Sequence, residues 1–219
     1  MCFSATASFS AAAILGITGV VALKKVKQPS QFMFGALPLL FAVQQTCEGL
    51  LWLTFTKAPD SHIVTIESYV FLFFAQFLWP FWMPLAFMLI EEDKRRKKIL
   101  LIFASFGMAC SIILGYRMLF YDITTQIKDH HIFYNIQSPQ WIIITSRILY
   151  CIAIVLPPFV LKLKGSRFLA IMLFLSLLFS KFFFSEELIS TWCFFAAILS
   201  VTIVYILHHK NQRAQVTLA

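Results

Sequence analysis

The feature that most limits what this chain can fold into is a series of apolar runs, each of about 18 or more residues, separated by short clusters of charge. As a helix, a run of 20 residues is about 30 Å long, the thickness of the hydrocarbon core of a bilayer. A soluble helix needs a charged face to meet water, and these runs lack one. Only 13% of the 219 residues are charged while 60% are hydrophobic, and the mean hydropathy is +0.82, which excludes an ordinary soluble domain. In hydrocarbon every backbone N–H and C=O must be satisfied internally, which leaves helices or a closed barrel. Turn signals are too sparse for a barrel of ~10-residue strands. The expected fold is all-α, a polytopic membrane helix bundle of about seven transmembrane helices.

The runs place those spans at about 4–23, 33–56, 64–90, 98–117, 140–161, 168–184 and 187–207. Their direction follows from the basic residues. Thirteen lie in alternate connections: Lys24, Lys25 and Lys27; Lys94, Arg95, Arg96, Lys97 and Lys98; Lys162, Lys164 and Arg167; Lys210 and Arg213. The other side has only Lys57, Arg117, Lys128 and Lys181, with Arg147 inside a span. The positive-inside rule makes the rich side cytoplasmic, so the expected topology is N-out and C-in. The expected place is the cell (inner) membrane, with multiple passes. Residues 1–210 read as a single transmembrane domain with an outer loop at about 118–139, and 211–219 as a disordered cytoplasmic tail. The first span, followed by the KKVK cluster, reads as an uncleaved anchor.

A net charge of +8 raises the question of nucleic acid, but the basic residues flank apolar runs rather than form one surface, so no nucleic acid is expected. Cys2, Cys47, Cys110, Cys151 and Cys193 are scattered singly, with no CxxC or Cys/His spacing of a zinc site and no disulfide framework. There is no Gly-rich phosphate loop, and no histidine pair at mid-membrane to hold a haem.

Within the spans, the polar residues crowd into the outer half. Gln44, Gln45 and Glu48 share one face of the second span, about 12–18 Å below its outer end. Gln140, Arg147 and Cys151 form a stripe on the fifth, while stretches such as GITGVVAL and AIVLPPFVL near the cytoplasm are apolar. A charged residue in a span is costly unless it is paired or faces a polar cavity. Two readings stand: Glu48 and Arg147 pair to lock two helices, with the glutamines as interhelical glue, or they line an outward-facing site. His130 and His131 read either as a solvated loop pair or as metal ligands or a proton relay. A site of His130 or His131, Glu48 and Cys2 requires the long loop to fold back over the helix ends. Zinc or copper is the divalent metal such donors would take. Pro80 and Pro84 bend the third span near Gln76. Ser4, Ser8 and Ala12 give the first a close-packing ridge, and Trp52, Trp141 and Trp192 fall where interfacial anchors belong.

The segments MCFSATASF, QQTCEGLLW, AQFLWPFWMPLA, HHIFY and STWCFFAAILS together resemble a family of bacterial multi-pass membrane proteins with no established activity. The resemblance covers most of the chain and implies the membrane fold. It directs attention to Cys2, Gln45, Glu48, His130, His131 and Trp192. Seven spans with the N-terminus outside are also similar to the alkaline-ceramidase-like hydrolases, which hold zinc among intramembrane histidines. This chain departs from them, having no HxxxH motif and no histidine in any span.

The leading expectation is an outward-open polar cavity that binds, and in an enzyme chemically modifies, a small polar or lipid-headgroup ligand in contact with the bilayer. Glu48 and His131 would do the acid–base work, Gln44, Gln45, Arg147 and Trp192 would hold the ligand, and Cys2, His130 and His131 would hold any metal. The alternatives are a small-solute or ion transporter or channel and a receptor or accessory subunit, and oligomerisation is compatible with each.

Overall fold

The computed structural model describes residues 4–128, 131–183, 191, 192, 195, 197 and 199–218. Six helices are long and apolar enough to cross a membrane: α1 (Ala5–Lys24), α2 (Pro29–Lys57), α3 (His62–Ile90), α4 (Lys94–Phe120), α5 (Gln140–Val160) and α6 (Ser166–Phe183). A further helix, α7 (Thr202–Leu218), follows. The chain is a multi-pass membrane protein built as an all-α bundle. The seventh expected span, 187–207, falls partly outside the described residues, and of it Thr191, Trp192, Phe195, Ala197 and Leu199 are helical.

Each boundary has a local cause. Ser4 accepts from the Ala7 N–H at 3.2 Å, Ser61 from that of Ile63 at 3.2 Å and Asp93 from that of Arg96 at 2.9 Å, so the first turns of α1, α3 and α4 are capped by side-chain oxygens. Gly165, at φ 94°, makes the turn into α6 in a conformation that L side chains rarely adopt.

The helices divide into a centre and a rim. In α2 and α3, 61% of the apolar window is buried within the protein, against 28% in α1, α4 and α6. The antiparallel pair α2 and α3 is therefore the core, and the others turn broad apolar faces outward, as lipid-facing helices do. α1 lies on α2 through Ser8, Leu15, Gly19 and Ala22, a ridge that shares only Ser8 with the expected one. A Cβ on Gly19 would stand 2.7 Å from the Leu39 backbone nitrogen, and one on Gly49 about 2.9 Å from the Phe9 ring. α4 approaches α3 as closely, for a Cβ on Gly107 would fall 2.0 Å from the Pro80 carbonyl oxygen.

Pro80 and Pro84 do more than bend α3. Residues Phe73–Leu78 wind as a π-helical turn, and the carbonyls there take side-chain donors from neighbouring helices. Tyr150 Oη donates to the Ala75 oxygen at 2.9 Å and Ser111 Oγ to the Phe77 oxygen at 2.7 Å. Such turns interrupt the ladder that proline breaks, and they recur at functional sites.

The loop expected at 118–139 is mostly ordered strand. β1 (Ile123–Lys128) and β2 (His131–Ile136) pair antiparallel from Ile123↔Ile136 to Lys128↔His131. Arg117 fastens the base of this hairpin, its Nε donating to Ser138 Oγ at 2.6 Å and its Nη2 to the Ile136 oxygen at 3.0 Å.

The opposite end holds the basic clusters and is stitched together by polar contacts. Glu91 accepts from the backbone N–H groups of Glu92, Asp93 and Lys162, Arg96 donates to the Val160 oxygen, and Lys210 pairs with Glu92. Asn211 bonds both Gln31 and the Lys25 oxygen. Asn211 anchors α7 at the bundle, and the Gln, Arg and Ala that follow are good helix formers, so the helix runs on to Leu218.

Candidate functional site

Nearer the hairpin end, α2 carries Gln44, Gln45, Glu48 and Trp52 at positions i, i+1, i+4 and i+8, which puts them on one face, and all four are buried. Glu48 lies nine residues from Lys57 and nineteen from Pro29, so it sits about 14 Å below the hairpin end of α2 and twice that from the basic end.

Two contacts set the register against α3. Trp79 Nε1 donates to Gln44 Oε1 at 2.7 Å, and the Trp79 ring stacks on Phe41 at 3.9 Å. In an antiparallel pair, four residues onward in α2 oppose four residues back in α3. Glu48 is therefore level with Ala75 and Gln76, inside the π-helical turn, and Trp52 with Phe71. Phe9 over Gly49 brings Ser8 of α1 to the same level. Tyr150 reaches it from α5 through the Ala75 oxygen, and its ring meets Trp192 at 5.4 Å. The polar layer thus draws on four helices and Trp192.

The hairpin packs over this layer against α3, with Tyr134 stacked parallel on Phe71 at 5.0 Å. His131 lies in β2 and is buried, as are Ile132, Tyr134 and Ile136 of that strand. Cys2 and His130, the other residues assigned to a metal, lie outside the described residues, as do Cys193, Glu186 and Glu187. Among the described residues, no three His, Cys, Asp or Glu side chains come close enough to hold a metal ion.

The hydrogen bonds within the layer leave much of its capacity unused. Gln45 Nε2 donates to Glu48 Oε2 at 3.3 Å. Gln44 Nε2, Gln45 Oε1, Trp52 Nε1, Gln76 Oε1, Ser8 Oγ and Trp192 Nε1 are buried with no hydrogen-bond partner among the described residues. An orphaned buried polar atom costs about 1–3 kcal/mol. The four on α2 and α3 alone come to about 4–12 kcal/mol, as large as the whole net stability of a typical domain, about 5–15 kcal/mol. A layer so built needs partners for its donors and acceptors. Amide and indole N–H groups offer donors, amide oxygens and a carboxylate offer acceptors, and none of the described side chains of the layer is basic.

Towards the basic end the interior changes character. Past the Trp79–Phe41 stack it is filled by Phe34, Leu37, Met83, Phe87 and Leu207, all buried. A gap there, with room for about one water molecule, is lined by Leu37, Phe41, Met83, Phe87, Leu169, Leu173, Ser200 and Ile203 and is apolar. The Trp79–Phe41 stack and the Gln44 bond separate this apolar interior from the polar layer.

Arg147 is not part of the layer. The buried stripe of α5 is Ile142, Ser146 and Ala153, and Arg147, one residue past Ser146, is turned about 100° away. Gln140, Arg147 and Cys151 do form a stripe, but all three are exposed. Arg147 makes no ion pair with Glu48, and the nearby charge it meets is that of Arg117. This corrects both the expected Glu48–Arg147 lock and the placing of Arg147 in the cavity. A polar stripe shows phase within a helix but not which side the bundle covers. Trp52 and Trp192 are likewise interior rather than interfacial, and Trp141 alone of the three is exposed. Reasoning from the sequence missed Trp79, Tyr134 and Tyr150 as members of the site. The Trp-Pro pair at 79–80 and the alternating aromatics of HIFYNI were the available signals.

Comparison with curated proteins and with solved structures gives no match. Of the segments that carried the resemblance, QQTCEGLLW lies in α2 and AQFLWPFWMPLA in α3, while the others fall partly outside the described residues. A family model matches across the chain: the protein belongs to a family of unknown function (DUF6629), whose model matches residues 1–218.

Proposed function

We propose that this protein uses the buried layer around Glu48 to bind a small polar ligand or lipid headgroup within the membrane, admitted from the hairpin end. The observation that carries the reading is the set of buried, unpartnered side-chain atoms of Gln44, Gln45, Trp52 and Gln76 beside Glu48. Packing alone would favour apolar residues there, because in hydrocarbon no solvent relieves an orphaned amide. The mixed donors and acceptors suit a ligand with hydroxyl, amide or amine groups. Glu48 is its charged contact and, in an enzyme, the general base, with His131 supplied by the roof. The basic clusters gathered at the other end support an N-out and C-in orientation in a cytoplasmic membrane, with the hairpin and the mouth of the site outside.

The test combines access with chemistry. In a cysteine-free background, Gln45→Cys and Gln76→Cys are treated in intact cells with a membrane-impermeant thiosulfonate, and purified wild type and Glu48→Gln are screened for thermal shifts against small polyols, amines and amino acids. Labelling of both cysteines from outside, and a solute that stabilises wild type but not Glu48→Gln, is the expected result. If neither cysteine reacts from either side and no solute separates the two proteins, the layer is interhelical glue.

A transporter is the second reading, favoured by the π-helical turn and the two prolines of α3 at the boundary of the layer, where an opening would begin. Uptake of the identified solute into liposomes containing only this protein would select it over a dead-end site.

A further inference from the structure

A serine buried in a helix bundle ordinarily satisfies its hydroxyl by donating to a backbone carbonyl. Of the seven buried serines among the described residues, five do so at 2.6 to 3.1 Å: Ser68, Ser111, Ser146, Ser166 and Ser200. Ser8 and Ser180 are the exceptions, fully buried with no partner for Oγ among the described residues. Ser8 already belongs to the Glu48 layer, and Ser180 reaches the same level from α6. Leu37 and Phe41 of α2 line the apolar gap together with Leu169 and Leu173 of α6, and both helices run from the basic end towards the hairpin end. Seven residues on, two turns along the same faces, Phe41 leads to Glu48 and Leu173 to Ser180, about 10 Å from the gap. The two exceptional hydroxyls therefore lie within about a turn of the level of one buried carboxylate, on different helices.

With Ser180 included, the open groups of the layer are of three kinds. Gln44, Trp52 and Trp192 hold N–H donors without acceptors, Gln45 and Gln76 hold amide oxygens without donors, and the two serines can act either way. An ammonium group serves only the acceptors, and a carboxylate or phosphate serves only the donors. A hydroxyl does both at every position.

We propose that the ligand of the layer is a polyol, free or as the headgroup of a lipid, and that Ser180 and Ser8 contact its hydroxyls. The proposal rests on the reading of the Glu48 layer as a ligand site and names the chemistry that fills it. Such a molecule brings an oxygen to each orphaned N–H and an O–H to each orphaned amide oxygen.

The experiment is thermal unfolding of the purified, delipidated full chain, titrated with myo-inositol, sorbitol, ethanolamine or acetate in the millimolar range, where polyols have little general effect as excluded cosolvents. A parallel arm compares dioleoylphosphatidylglycerol with dioleoylphosphatidic acid, which lacks the glycerol. Saturable stabilisation by a free polyol, or by phosphatidylglycerol over phosphatidic acid, is the expected result, and the arm that responds identifies the source. Ser180→Ala should weaken this binding about five- to tenfold, the worth of one hydrogen bond. Ser176→Ala, whose hydroxyl is spent on the Leu173 oxygen, should change it by no more than about twofold. Without ligand, Ser180→Ala should unfold at the wild-type temperature or above it, because the change removes an orphan rather than a bond. Saturation by ethanolamine or acetate instead, lost in Glu48→Gln, would overturn the polyol while keeping the layer as a site. Polyol binding that survives intact in Ser180→Ala would overturn the place given to Ser180. A response to none of the probes would also overturn the proposal, and the layer itself falls as a site only if Gln45→Cys and Gln76→Cys are unreactive from either side as well.

Discussion

The bond between Trp79 and Gln44 allows the sharpest test of the buried layer, because both partners can be replaced by apolar residues of similar shape. Trp79→Phe removes the indole N–H from Gln44 Oε1 while keeping a ring to stack on Phe41. Gln44 is fully buried and its Nε2 already has no partner among the described residues, so the variant leaves both ends of the amide unsatisfied. The expected loss is about 2 kcal/mol for the orphaned oxygen and about 1 kcal/mol for the smaller ring. Gln44→Leu orphans the indole N–H but also removes an orphan, for a net loss of about 1 kcal/mol. The double variant has no unsatisfied group at this position and should lose only about 1 kcal/mol rather than about 4, a coupling of about 3 kcal/mol. The measurement is SDS-driven unfolding in mixed micelles followed by far-ultraviolet circular dichroism, which does not depend on the tryptophan removed. Losses that add to within about 0.5 kcal/mol would show that the two side chains do not meet, and would undo the register that levels Glu48 with Gln76.

Other perturbations test the frame around the layer. Gly107→Ala drives a methyl against the Pro80 oxygen and should destabilise by about 1–3 kcal/mol in the same unfolding assay, with partial recovery when Pro84 is also made smaller. Arg117→Gln removes two fastenings of the hairpin, and amide exchange in Ile123–Ile136 should speed at least tenfold while α2 and α3 keep their protection, as measured by hydrogen–deuterium exchange. Asp93 has its carboxyl held below the usual 3.8, first by the Arg96 N–H, so its capping contribution is full above that pH and fades as pH falls through the lower folded value. Exchange in the first turn of α4 should therefore be faster in Asp93→Ala than in wild type at neutral pH and converge with it well below pH 3.8. Lys210→Met should loosen α7 from its middle onward by removing the partner of Glu92, read out as faster proteolysis of the C-terminal segment.

How far the sequence could be read depended on the physics behind each feature. Apolar length and charge clustering are local, and they located the helices and gathered the basic residues at one end. Gln44, Gln45 and Glu48 were legible as a buried group because three adjacent polar positions share a face whichever way the helix turns. Arg147 was not, since its helix carries a polar stripe on a side the bundle leaves open, and only contacts between helices set that phase. The hairpin was legible in principle, as two alternating six-residue runs separated by two residues, yet within a membrane chain the segment reads first as a loop. The π-helical turn has no sequence signature beyond the prolines that follow it.

The two ends of the bundle do different work, which bears on where function resides. At the basic end the backbone and charged groups are matched, with Glu91 taking three N–H groups, Lys210 taking Glu92 and Asn211 closing α1 to α7, and the interior behind them is apolar. At the hairpin end Gln44 Nε2, Gln45 Oε1, Trp52 Nε1 and Gln76 Oε1 are buried with no hydrogen-bond partner among the described residues. A fold under selection for stability alone would have no reason to concentrate its orphaned amides and indoles at one level, beneath a hairpin fastened by Arg117 and beside the turn where α3 is least regular. Strain and unsatisfied polarity persist where the surrounding structure supports them and a ligand uses them. The matched end is then the clamp that holds α1, α3, α5 and α7 in register, and the ligand site we propose is the layer around Glu48 at the other end.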